Sequence, residues 1–112
     1  MKPEALKGHL DAMLLAVVAG GAGHGYAIIE TLRTRSAGTF DLPEGTVYPA
    51  LHRLERGGLL TSQWTEGSGR RRREYSLTAQ GRRSIKIQQS EWESFANAVT
   101  AVLGSKPWSM GT

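Results

Sequence analysis

The chain contains no cysteine, only four prolines and only eight aromatic residues among its 112. Without cysteine there is no disulfide framework, no thiolate metal site and no cysteine nucleophile. Long apolar runs are missing as well. The stretch Met13–Ala19 is far too short to cross a bilayer, and Met1-Lys2-Pro3-Glu4 leads into a polar-interrupted helix rather than an apolar leader. A cytoplasmic protein without membrane contact is therefore expected. His9, His24 and His52 follow no metal-ligand spacing, and no paired carboxylates stand beside them, so no metal is expected. Gly20-Gly21-Ala22-Gly23 lacks the Lys and Ser/Thr that would follow it in a phosphate loop. No nucleophile, base and acid group together, so the expectation is a non-enzyme that needs no cofactor.

Acids are also in short supply, and unevenly so. The chain carries +4 overall with a pI of about 9.9. Residues 44–86 hold nine basic residues against four acids, hence +5, which leaves −1 for the rest. A charge so localised favours one anionic partner over general stickiness. One domain is expected at this length, with a modest core that often gains burial by pairing with a second copy.

Leu42–Leu77 is the richest segment. It reads as a helix followed at once by a β-hairpin whose tip carries Arg70, Arg71, Arg72 and Arg73. Two helices precede it. The first runs from Pro3 or Glu4 to Ala19, with Leu6, Leu10, Met13, Leu14, Val17 and Val18 on one face. The second runs from Gly25 or Tyr26 to Ser36 and buries Ile28, Ile29 and Leu32. The third, Glu44 to Gly57, stops at Gly57-Gly58. Pro49 leaves its start open. With Thr46 as N-cap the proline falls in the first turn, whereas with a start at Glu44 it should loosen that turn.

At 100° per residue from Val47, Leu51 and Leu54 fall within about 40° of it, giving a buried stripe. His52, Arg53, Arg56 and Pro49 fall on the opposite side, with Tyr48 on the flank. That opposite face is the one expected to lie in a DNA major groove. Strands are expected over Leu59–Thr65 and Arg73–Leu77 around a Gly67-Ser68-Gly69 turn, with Trp64 and Tyr75 pairing across the hairpin. A last helix should run from Thr78, as N-cap, to about Leu103. Its stripe of Trp92, Phe95, Val99, Val102 and Leu103 is long for the end of a small domain and fits a partner chain.

The fold class is thus mainly α with a small β-hairpin: a winged helix-turn-helix over residues 1–77, a C-terminal dimerisation helix over 78–104, and a loose tail over 105–112 bearing Trp108.

Several runs closely resemble the PadR family of bacterial transcriptional regulators. They are His24-Gly25-Tyr26, the segment GTVYPALHRLE from Gly45 to Glu55, Gly58-Leu59-Leu60, and Arg72-Arg73-Glu74-Tyr75-Ser76-Leu77-Thr78-Ala79-Gln80-Gly81. The resemblance covers roughly residues 8–85, and the single helix after the wing is similar to the shorter branch of the family. It implies a winged helix-turn-helix, a homodimer joined through the C-terminal helix, and binding to a palindromic operator. It also implies that repression is the usual outcome, often relieved by a small molecule. Gly57, the four consecutive arginines and the Gly-rich 20–23 loop depart from the family pattern.

Each site residue has a plainer reading beside the functional one. Arg70, Arg71 and Arg72 are expected on double-stranded DNA rather than as a merely solvated tip, while Arg73 could turn inward. Tyr48, by its flank position and the resemblance, is expected to contact phosphate or base, with His52, Arg53 and Pro49 beside it on the reading helix. Thr46 could be a cap, a phosphate ligand or both. Tyr26 either packs under the third helix or offers its hydroxyl to a phosphate. Trp92, Phe95, Val99 and Val102 are expected as dimer core. The sharper alternative is that paired Trp92 rings line a pocket for a flat aromatic effector. The rival functions are an architectural protein without sequence preference and a winged helix that docks another protein.

Overall fold

The structure is a computed structural model that describes Leu6, residues 8–67 and residues 69–104. Its elements are α1 (Leu10–Ala19), α2 (Gly25–Arg35), α3 (Glu44–Arg56), β1 (Leu60–Gly67), β2 (Arg70–Leu77) and α4 (Ala79–Leu103). The architecture is the expected winged helix followed by one long helix.

The first helix does not run unbroken from residue 3 or 4. A turn at Gly8 and His9 interrupts it, and His9 N–H donates to Leu6 O at 2.9 Å before α1 begins. Gly8 is the weakest helix former in that stretch after proline. Beyond it, α1 is apolar on most sides and buries Leu10, Leu14, Leu15, Val17 and Val18. Leu15, absent from the expected face, is fully buried, because a helix apolar nearly all round sits in the middle of a core. α2 buries Ile28 and Leu32 against it.

α3 starts at Glu44 with Pro43 as its cap, so Thr46 is not the N-cap and Pro49 lies inside the helix. The proline leaves the carbonyl of Gly45, four positions back, without its helical N–H partner, in the N-terminal half of the helix. Val47, Ala50, Leu51 and Leu54 are buried. The helix ends as the double glycine requires. Leu59 N–H donates to Leu54 O and Gly58 N–H to Glu55 O, both at 3.0 Å, with Gly58 at φ 83°.

The hairpin is longer than expected, and the arginines near its tip are strand residues rather than turn residues. All four belong to β2, and the ladder runs out to the pair Gly67↔Arg70. Gly69 has φ 74°, which a tight hairpin turn needs. Opposed pairs such as Glu66↔Arg71 and Thr65↔Arg72 extend the ladder over what reads in sequence as loop. Trp64 does not face Tyr75: the register sets Trp64 opposite Arg73, and Ser62 opposite Tyr75. Tyr75, 3% exposed, joins the core, while Trp64 stands 53% exposed.

α4 opens on Thr78 as expected. The Thr78 hydroxyl accepts from Gly81 N–H at 3.0 Å and donates to Gly58 O at 2.6 Å. Gly81 sits so close to the Leu59 carbonyl that a Cβ there would collide with it. After Ile85 no residue of α4 is buried. The helix ends at Leu103, where expected; the tail over 105–112, with Trp108, lies outside the described residues.

Candidate nucleic-acid interface

Three elements converge on one cleft of about 590 Å³. The start of α2 contributes His24, Gly25 and Tyr26, α3 contributes Tyr48 and His52, and the hairpin contributes Trp64, Arg70, Arg71, Arg72, Arg73 and Tyr75. The chain reaches this arrangement through local devices. Gly25 lets the Tyr48 ring lie on the first turn of α2, where any Cβ would overlap the phenol. Gly23 brings the loop before α2 onto β2, so that Tyr75 N–H donates to Gly23 O at 2.8 Å. His24 Nε2 and Thr65 Oγ1 lie 3.2 Å apart, joining α2 to β1. The start of α2, the exposed face of α3 and the wing are therefore held as one surface.

The arginines divide by role. Arg73 turns inward: its Nε donates to Ser62 Oγ at 2.9 Å, and Ser62 Oγ donates to Glu55 Oε2 at 2.7 Å. Arg70, Arg71 and Arg72 are exposed. Arg71 lies over the Trp64 ring at 4.6 Å and Arg73 at 5.1 Å. Burial holds the Tyr75 phenol above its ordinary pKa, and the Glu55 carboxylate adds to the effect, while Arg73 opposes both.

The expected residues fall into three groups. Tyr26, Tyr48, His52, Arg70, Arg71 and Arg72 share the cleft. Tyr26 is 76% exposed, so the alternative that it packs under α3 does not hold. Thr46, Pro49 and Arg53 stand on α3 outside the cleft lining. Arg53 is held at 2.6 Å by Asp11 of α1. Trp92, Phe95, Val99 and Val102 are exposed on α4. Trp92 and Phe95 rings lie 6.0 Å apart, and His9 meets Trp92 edge-on at 5.0 Å. Trp64, His24 and Asp11 are the contributors that sequence reasoning missed. For Trp64 the signal was present: it lies at even spacing from Leu60 in a strand whose partner carries arginines.

Among the described residues no cluster of three His, Asp or Glu could hold a metal ion, and no helix is long and apolar enough to cross a membrane.

Residues 14–87 match the model of the transcriptional regulator PadR-like family. The chain belongs to that family. This PadR-like chain is similar to a transcriptional regulator from Clostridium thermocellum, at 26% identity over 95% of this chain and 99% of that one, with TM-score 0.81. It is also similar to a PadR family transcription regulator from Clostridium difficile, at 31% identity over 86% of this chain and 99% of that one, with TM-score 0.74. A transcriptional regulator of Mycobacterium tuberculosis is 44% identical over 55 residues, which is 49% of this chain and 51% of its own. Regulation of transcription through DNA is thus the activity of this PadR-like chain in outline.

Proposed function

We propose that the chain is a homodimeric repressor that binds a palindromic operator in the cytoplasm and is released by a small molecule. The supporting observation is that the exposed side of α3 and the arginine-bearing strand face the same cleft. In this reading α3 enters the major groove, with Tyr48 and His52 toward base edges and Thr46, Pro49 and Arg53 along its approach. Arg70, Arg71 and Arg72 take the neighbouring backbone or minor groove, supplying the salt-sensitive part of binding. Tyr26 offers its hydroxyl to a phosphate at the edge of the cleft. Residues 1–77 form the reading head and residues 78–104 the dimerisation helix. Trp92, Phe95, Val99 and Val102 meet their counterparts across the two-fold axis, and two reading helices then lie roughly 34 Å apart, one turn of DNA. A flat aromatic effector between paired Trp92 rings would change the angle between the subunits and with it that spacing.

The test is a mobility-shift titration against the DNA upstream of its own coding sequence and a scrambled control, at about 50 and 200 mM salt. Tight binding to the upstream fragment alone, surviving the higher salt, supports the reading. Equal binding to both, lost at the higher salt, is the outcome that an architectural protein without sequence preference gives.

A further inference from the structure

We propose that Trp64 is a positioning residue of the cleft, whose indole sets the Arg71 guanidinium in the direction from which it meets the nucleic-acid backbone. The inference rests on the reading of the cleft given above and adds to it a residue that carries no charge. Trp64 leaves about half of its surface to water, unlike the core residues on its own face of the hairpin, Leu60 and Tyr75. Its partners are two guanidinium groups, Arg71 at 4.6 Å and Arg73 at 5.1 Å from the ring centroid.

The two arginines are not equivalent. Arg73 is tied through Ser62 to Glu55, and its Nη2 lies 3.8 Å from that carboxylate. Its charge is compensated within the chain. Among the described residues Arg71 makes no ion pair. A continuous path therefore runs from Glu55 in the last turn of α3, through Ser62, Arg73 and Trp64, to Arg71 in the outer half of the wing. An unrestrained arginine loses rotamer freedom when it meets a phosphate. Stacked on tryptophan, the best of the cation–π faces, Arg71 has given up part of that freedom before DNA arrives. Arg70, three pairs further out than Trp64 and opposite Gly67, has no ring to rest on among the described residues.

The experiment measures binding to the upstream duplex and its scrambled control between about 50 and 200 mM salt for Trp64→Ala, Trp64→Phe, Arg71→Ala and Arg70→Ala, and for the doubles of Trp64→Ala with each arginine change. Trp64→Ala should weaken binding about three- to ten-fold and flatten the salt dependence by up to about one phosphate contact, although it removes no charge. Trp64→Phe should retain most of the affinity. The Trp64→Ala/Arg71→Ala double should be no weaker than Arg71→Ala alone, while the double with Arg70→Ala should show the product of the two single effects. Independent effects of Trp64→Ala and Arg71→Ala, or an unmoved salt slope in Trp64→Ala, overturn the proposal. In the DNA-free protein, NMR should find the Arg71 side-chain protons shifted upfield by the indole ring and restored in Trp64→Ala. Their absence from shifted positions overturns it as well. Failure of the cleft reading has a different signature: no salt-sensitive binding by the unaltered chain, with the ring-current shift intact, which removes the DNA role while leaving the stack.

Discussion

The reading head and the C-terminal helix are built from similar side chains put to opposite use. Of the fourteen residues in the buried cluster only Ile85 belongs to α4, although α4 is the longest element, at 25 residues. The head closes on itself: Leu14, Leu15, Ile28, Val47, Leu51 and Leu60 leave almost no surface to water. On α4, Ile87, Trp92, Phe95, Val99, Val102 and Leu103 remain exposed. The head thus buries its apolar side chains within the chain, whereas the apolar stripe of α4 stays open among the described residues. The comparison predicts two kinds of sensitivity, one internal and one dependent on protein concentration.

The largest effect should come from the helix. Phe95→Glu should leave the head folded by circular dichroism, convert the protein to monomers in sedimentation, and weaken binding to a palindrome by about 10²-fold or more as the second half-site contributes independently. A dimer that survives this change would break the contrast. In the head, Leu51→Ala should cost about 2–5 kcal/mol of stability, read as a lowered denaturant midpoint that does not shift with protein concentration. Gly25→Ala should cost about 1–3 kcal/mol by driving a methyl into the Tyr48 ring. It should also weaken DNA binding under conditions where the protein is still folded, because Tyr48 must move.

Arg70→Ala or Arg72→Ala should leave stability unchanged and lower the salt slope of binding by about one each. The smallest effect concerns pH. Tyr75 has a folded pKa raised by burial, so its contribution is complete below the ordinary tyrosine value and is lost as pH rises through the raised one. Denaturation midpoints should decline on the alkaline side of pH about 10, and Tyr75→Phe should blunt that decline.

The reach of the sequence follows the same division. Devices that act within a few residues were legible: the Gly57-Gly58 stop, the Thr78 cap, the buried stripe of α3 and the exposed stripe of α4. What needed the third dimension was not. Proline at position 49 leaves the start of the third helix open between Glu44 and Thr46, and only the backbone shows that the helix begins at Glu44 with the proline inside it. Arg70, Arg71 and Arg72 read as a hairpin tip ahead of a strand beginning at Arg73, yet ladder partners such as Glu66 and Thr65 draw them into that strand. Trp64 and Tyr75 are both aromatic and both in the hairpin, but a pairing register depends on the turn, so their separation was invisible. Arg53 reads as a cation on a free face, and only the packing of α1 beside α3 brings Asp11 to it, 42 positions away in sequence.

The hydroxyl of Thr78 also has a mechanical meaning. By bonding both Gly58 and Gly81 it fastens the root of α4 to the turn that ends α3. α4 is then a rigid lever about 37 Å long, fixed at its base to the reading head. In a pair of such chains gripping each other near the far ends of these levers, a tilt of only about 5° moves each base by roughly 3 Å, close to one base-pair step of 3.4 Å. In the proposed dimer, small changes where the two helices cross would become shifts of register at the DNA, set by the length of a helix and the stiffness of its mounting.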